Sequence, residues 1–337
     1  MDASPEGLRI DSEQCAALGR AVLAHPIRPD AHFQMLPQNL TPDQETLLWL
    51  VSTAICQQTR TLEGTIAGHW LRGSDYLIAA LGQHMARNPG LWTPEALRGW
   101  ESRELCAATS DEGDAETSTL DRVEERLDLL RGVAAHLVDR WAGRAMAIHE
   151  TSDARVATLL DRLAAIPAYT DPVRKKSHLL LMVLHERGLW PLADPENLET
   201  AIDYHIMRVA LRFGIVEVVD PALRRTLVDQ IPVSEAVDTA VRFAVRQACR
   251  EVVRLSPGLT PFRLDNALWM IGRSCCFYDH PPVCTSPAQC QRSDICSLIN
   301  ILNAPCDLSC PLSSECRGAV DRSLRRLHET AFDSHFY

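Results

Sequence analysis

Apolar residues recur along this chain at intervals of three and four, and no stretch alternates polar and apolar positions long enough to build a sheet. The expected fold is therefore all-α. Thr41 and Gln44 form a capping box around Pro42, ahead of Leu47, Leu50, Val51, Ala54 and Ile55 on one face, which predicts a helix from about 42 to 56. The stretch 83–119 carries Gly, Pro and acidic residues and reads as a loop-rich insertion with a short helix inside it. Helical periodicity returns at 120–140 and again in "SDARVATLLDRLAA", where Val156, Leu159, Leu160 and Leu163 align. Pro167 ends that helix, Asp171 and Pro172 are placed as N-cap and first residue of the next, and Gly188 is placed to stop it. Two helices then meet through a tight turn. Further helices are expected at 204–213, 221–229, 234–254 and 261–274. In "AIDYHIMRVALRFG" (201–214) the apolar residues Ile206, Val209, Ala210 and Phe213 follow an N-capping Asp203 and precede a terminating Gly214.

With 337 residues, 46% of them hydrophobic, the chain can form two packed lobes. It has no apolar run of the roughly eighteen residues that a membrane span needs, and "MDASPEGLRIDSEQ" lacks the order of a secretion signal. A cytoplasmic protein without a membrane partner is the expectation. The net charge of −10 argues against simple nucleic-acid binding, which draws much of its affinity from neutralised phosphates. Acidic residues gather at 109–128, whereas cations gather at 174–176, at Arg224 and Arg225, and at Arg242, Arg246, Arg250 and Arg254. The last four recur every fourth residue and read as an ordinary solvated face, with a phosphate-binding stripe as the alternative. Of twelve cysteines, Cys15, Cys56, Cys106 and Cys249 stand alone and eight fall between 275 and 316. At the end of a long helical chain, that cluster suits metal ligation better than a disulfide scaffold.

Four segments, in order, resemble the helix-hairpin-helix DNA glycosylase superfamily, and especially its iron–sulfur branch of endonuclease III and adenine-mismatch glycosylases. "LLWLVSTAICQQTR" (47–60) is similar to the early helix that ends in a "QQT"-type turn. "AAIPAYTDPVRKKSHLL" (164–180) stands where the family has its hairpin, L-P-G-x-G-x-K-T-A. "AIDYHIMRVALRFG" resembles V-D-T-H-x-x-R-V-x-x-R-x-G, and "LDNALWMIGRSCCFYDHPPVC" (264–284) resembles the helix that delivers the first cluster cysteines. The resemblance covers about 47–296, and its third segment is the most specific.

It implies that Asp203 is the catalytic carboxylate: breaking an N-glycosidic bond builds positive charge on the sugar, which a fixed carboxylate stabilises. It implies that Lys176 forms a Schiff base at the sugar C1′ in members that also nick the strand, with Lys175 one residue away as the competing match. Gln57, Gln58, Arg174, Lys175, Ser177 and His205 would contact nucleic acid or substrate. Tyr169 would either stack on a base or pack into the core. The hairpin departs from the family in having no glycine to let main-chain N–H groups approach a phosphate. The cysteines depart too: Cys276, Cys284, Cys290 and Cys296 give C-x7-C-x5-C-x5-C where the family has C-x6-C-x2-C-x5-C. Four thiolates suit a [4Fe–4S] cluster, with zinc as the alternative. Cys306, Cys310 and Cys316, with Cys275, would hold a second metal or replace part of that set, since "CPLSSEC" resembles the end of the family motif.

The implied architecture is a two-lobe, all-α glycosylase fold. A central lobe at 43–188 includes the hairpin (166–177), 1–42 plus 189–274 form the second lobe, and 275–317 is a cysteine-rich metal-binding segment. The implied function is excision of a damaged or modified base from DNA after the nucleotide is flipped from the stack, with strand-nicking lyase activity if Lys176 serves as described. The alternatives are a related enzyme acting on a modified nucleoside, an RNA base or a base–macromolecule conjugate, as in an antiviral pathway, and a non-catalytic sensor of modified nucleic acid that signals to a protein partner.

Overall fold

The computed structural model describes residues 7–25, 36–37, 39–279, 281–285, 290, 296 and 309–337. These are predominantly helical. They contain α1 (Ser12–Ala24), α2 (Pro42–Ala54), α3 (Gly73–Arg87), α4 (Pro94–Leu97), α5 (Ser102–Ala108), α6 (Val123–Trp141), α7 (Ala147–Glu150) and α8 (Val156–Leu163). There follow α9 (Lys175–Glu186), α10 (Tyr204–Phe213), α11 (Pro221–Asp229), α12 (Glu235–Leu255), α13 (Pro261–Ser274), α14 (Arg317–Val320) and α15 (Arg322–Arg325). There are also two small antiparallel pairs, β1 (Leu8–Ile10) with β4 (Val216–Val218) and β2 (Glu63–Ile66) with β3 (His69–Arg72), and short 3-10 turns at Pro89–Leu91, Ala115–Thr117, Pro167–Tyr169, Pro195–Asn197 and Val283–Thr285. Among the described residues no helix is long and apolar enough to cross a membrane.

The chain divides into two compact units, 1–31 with 199–333 and 32–198 with 334–337. The boundaries lie elsewhere than the sequence expectation puts them, since 32–42 and 189–198 go with 43–188. The cysteine-rich segment belongs to the same unit as 199–274, and the last four residues return to the unit that holds the hairpin.

In the 32–198 unit, α2 packs on α3, α6 and α9. Its capping box forms as the sequence predicts, with Thr41 accepting from the Gln44 N–H and Gln44 accepting from the Thr41 N–H. The core here gathers Leu48, Leu50, Leu77, Leu130, Leu137, Leu163 and Leu184. The 83–119 stretch holds two short helices, α4 and α5, rather than one.

In the other unit, α10 packs on α12 and α13, and α1 packs on α12. Gly272 lets α13 approach α10, because a Cβ there would lie 2.7 Å from the Cβ of His205. Gly214 closes α10 in the left-handed region at φ 95°, as a glycine C′ residue does. The arginines of α12 do not form one solvated face. Arg242 is fully buried beside Asp238, and both its Nε and one terminal nitrogen donate to the Ile202 carbonyl. Arg246 and Arg250 pair with Glu199, and Arg254 pairs with Glu251. Steps of four residues drift by about 40° each around a 3.6-residue helix, so a stripe that starts in solvent at Arg254 ends in the core at Arg242.

Candidate functional site

In the hairpin-bearing unit, α9 does not start at Asp171. It starts at Lys175, after Arg174 in the left-handed region at φ 56°. The Asp171 carboxylate still serves the helix start, accepting from the N–H groups of Val173 (3.0 Å) and Lys175 (2.8 Å). Counting back from Lys176, Arg174 stands two residues before the lysine, where the hairpin pattern has its second glycine. The left-handed backbone that a glycine would adopt without strain is kept here with a side chain attached, at a cost of about 1–2 kcal/mol. Arg174 itself pairs with Asp161 at 3.3 Å.

Lys176 is fully buried. Its Nζ donates to the Ala54 carbonyl (2.5 Å), at the end of α2, and to Gln57 Oε1 (3.2 Å). Burial pulls its pKa down to about 7; neighbouring Lys175 and Arg126 add to this, and Cys56 and Asp171 oppose it. The amine is therefore substantially uncharged at neutral pH, the state in which a lysine is nucleophilic. Gln57 is buried too, and its Nε2 has no hydrogen-bond partner; the same holds for Ser177 Oγ. Lys175 instead turns its Nζ toward Cys56 Sγ, 3.7 Å away. Gln58, at φ 46°, donates to the Ser334 carbonyl at 3.4 Å. Arg126 is a member that sequence reasoning missed. It is fully buried and donates to the Ile55 carbonyl and to Asp121, so two buried basic side chains tie down the end of α2. Tyr169 packs into the core and donates its hydroxyl to the Leu50 carbonyl at 2.7 Å, which leaves no ring face for a base; a turn tyrosine inside a leucine-rich core gains more from burial than from solvent.

In the other unit, Asp203 is the N-cap of α10, with Oδ1 accepting from the Ile206 N–H at 2.9 Å and a side chain that is 5% exposed. His205, the second residue of the helix, faces Trp269 edge-on and meets Arg208 at 3.0 Å. Arg208, fully buried, donates to the carbonyls of Cys276 (2.7 Å) and Gly272 (2.8 Å) and pairs with Glu329 at 2.8 Å. Arg212 donates to the carbonyls of Leu327 and Phe277, each at 2.7 Å, and to Cys276 Sγ at 3.5 Å. The arginines that the sequence pattern matched without a role therefore anchor the cysteine loop to the Asp203 helix.

The thiols group differently from the expectation. Cys275, Cys276, Cys284, Cys310 and Cys316 line one cavity with Val209, Phe213, Ile271, Leu312 and Arg212, whereas Cys290 and Cys296 do not line it. Cys306 lies outside the described residues. Cys310 and Cys316, with five residues between them, therefore join Cys276 and Cys284 at this cavity. Burial first, and neighbouring thiols next, push Cys284 up to about 11 and Cys316 up to about 12. Metal binding would displace those protons. The thiol donors, apolar walls and adjacent guanidinium fit a metal–sulfur group, whose ligands are soft anions sheltered from water. Among the described residues no three His, Cys, Asp or Glu side chains converge as ligands of a single ion do, so the sulfurs are spread around the cavity rather than gathered at a point.

The chain matches no model of a known protein family and no curated protein.

Proposed function

We propose that this protein is an N-glycosylase of the helix-hairpin-helix type that excises a damaged or modified base, with Lys176 as an amine nucleophile and Asp203 as the carboxylate that stabilises positive charge on the sugar. The observation that carries the reading is Lys176: a fully buried lysine at the hairpin's second helix, hydrogen-bonded to Gln57 and held near a pKa of about 7 by burial. A strongly perturbed amine is a mark of chemistry. The competing structural reading is that Lys176 only caps the Ala54 carbonyl at the end of α2, which a neutral amine also does; what favours the nucleophile is the free lone pair that burial leaves on the amine. Lys176 is enclosed, so its amine meets a substrate only when the residues around it shift.

Asp203 combines two tasks in this reading. One oxygen caps α10, and the carboxylate offers fixed negative charge to a sugar that turns cationic as the base departs. Attack by Lys176 at C1′ forms a C–N bond as the glycosidic C–N bond breaks, and the departing base takes up a proton. In the proposed cofactor site Cys276, Cys284, Cys310 and Cys316 hold a [4Fe–4S] cluster, in place of the set with Cys290 and Cys296; zinc is the alternative metal. When bound, the cluster would supply a cross-link between these four cysteines and a redox-active centre.

Two observations favour a substrate other than an ordinary duplex: a side-chain-bearing Arg174 at the hairpin's glycine position, and a net charge of −10. A modified nucleoside, an RNA base or a base–macromolecule conjugate would need fewer phosphate contacts. The test is mass spectrometry of small molecules released from variously modified duplexes, single strands and RNA. Base release by the wild type, abolished in Asp203→Asn, supports the enzyme; release from none by protein with its metal intact removes it and leaves the sensor.

A further inference from the structure

Of the 34 lysines and arginines in this chain only two are lysines, Lys175 and Lys176. A residue type used nowhere else opens α9 twice over, and both copies are buried. What a lysine offers and an arginine does not is an amine that can shed its proton and attack an electrophile. Lys176 has that task in the proposed excision; Lys175 has none there. Its Nζ lies 3.7 Å from Cys56 Sγ, just past the end of α2. Lys175 is 7% exposed and Cys56 is half-buried, so an oxidant from solvent can reach the sulfur while the amine waits beside it, sheltered from water. The stem of Lys175 is fixed where α9 begins, because its N–H donates to Asp171 at 2.8 Å. The side chain next after Cys56, Gln57, has a fully buried Nε2 with no hydrogen-bond partner. Cys106, the other thiol of this unit, is also half-buried, but both lysine amines of the chain are engaged elsewhere.

We propose that Cys56 and Lys175 form a covalent cross-linking site, in which oxidation of the thiol by a peroxide is captured by the amine as a sulfur–nitrogen bond. The peroxide transfers one oxygen to sulfur, giving a sulfenic acid and water; sulfur is oxidised and the peroxide reduced. The Lys175 nitrogen then attacks sulfur with its lone pair and the sulfur–oxygen bond breaks. The oxygen leaves as a second water, carrying a proton from the amine, so the protein has lost two hydrogen atoms in all. While the oxygen is on sulfur, Gln57 Nε2 is the side-chain donor next in sequence to hold it. A thiol reductant reverses the bond by attacking sulfur, and the amine regains its proton. Capture spares the sulfur from irreversible oxidation to the sulfinic acid. It also ties the residue after α2 to the first residue of α9, which holds closed the surroundings of Lys176. That consequence rests on Lys176 being the nucleophile, whereas the bond itself does not.

The test treats the full chain with hydrogen peroxide in the absence of nucleic acid and reads it by peptide mass spectrometry. Peptides carrying Cys56 and Lys175 should be found joined, lighter by two hydrogens than their sum and separated by dithiothreitol, and should account for at least about half of the oxidised Cys56. Lys175→Arg, which keeps a long basic side chain without the nucleophilic amine, should lower the joined product by at least about tenfold while Cys56 goes on to the sulfinic acid, as Cys106 does in the wild type. If Lys175→Arg does not fold, Lys175→Gln is read in the same way. Lys176→Met should leave the joined peptides in place. Sulfinic acid at Cys56 of the wild type without joined peptides, or a bond that maps to Lys176, would overturn the site. Cyanoborohydride trapping on DNA with an abasic site then separates this inference from the excision reading: the cross-linked protein should trap at least about tenfold less than the reduced protein and recover with dithiothreitol. Trapping by neither form would remove the Lys176 nucleophile, and the cross-link would still be decided by the peptides.

Discussion

Lys176 and Arg208 are both fully buried basic side chains, one in each unit; Lys176 donates to one backbone carbonyl and Arg208 to two. Their surroundings differ in one respect. Arg208 has a carboxylate, Glu329, at 2.8 Å, whereas the bonds of Lys176 go to a carbonyl and an amide oxygen. Burial works against charge at both sites. At Arg208 it is outweighed, chiefly by Glu329, and the pKa rises. At Lys176 nothing outweighs it and the pKa falls to about 7. A paired buried cation is a scaffold, while one without a counter-charge becomes a titratable amine.

Breaking the scaffold should have the largest effect. Glu329→Gln leaves Arg208 buried without its counter-charge and is expected to cost about 3–5 kcal/mol in denaturant unfolding. A loss below about 1 kcal/mol would mean that the carbonyls suffice for Arg208 and that the contrast with Lys176 is not one of pairing.

Removing the Lys176 amine should act in the opposite direction. The folded pKa lies below the unfolded value of 10.5, so the unfolded chain binds more protons between these limits and wild-type stability rises as pH climbs from about 7 to 10. Lys176→Met is therefore expected to stabilise the protein by about 2 kcal/mol at pH 6, with the gain shrinking through that window. A pH-independent difference would contradict the depressed pKa. A smaller change is expected from Tyr169→Phe, which leaves the Leu50 carbonyl without its donor and should cost about 1 kcal/mol in thermal unfolding; no change would return Tyr169 to the list of surface candidates. Smallest in stability is Asp203→Asn, because asparagine caps a helix as well as aspartate does. It should shift unfolding by less than about 0.5 kcal/mol while cutting base release by at least about a hundredfold.

What was legible in the sequence follows how local the cause is. α10 and its ends were readable because an N-cap aspartate and a C′ glycine lie within one segment. The start of α9 was not, since Asp171 reaches forward from four residues away and a left-handed Arg174 has no signature in residue type. The cysteine count pointed to a metal, but the sequence distance from Cys284 concealed that Cys310 and Cys316 share its cavity. Arg126 and Glu329 could be recognised only after folding, because their partners are distant in the chain. Arg242 was misplaced by treating every fourth residue as one face. Lys176 was singled out by its motif, and its burial is a property of the fold.

The most direct measurement of the central claim is borohydride trapping on DNA with an abasic site, whose C1′ aldehyde bypasses the question of which base is removed. The adduct should map by peptide mass spectrometry to Lys176, its rate should rise with a midpoint near pH 7 as the amine loses its proton, and Lys176→Gln should abolish it while Lys175→Gln leaves it in place. The assay belongs at low salt, where phosphate contacts are strongest. An adduct on Lys175, or no adduct with protein that still releases a base, would contradict the account of Lys176 and leave Asp203 to direct water.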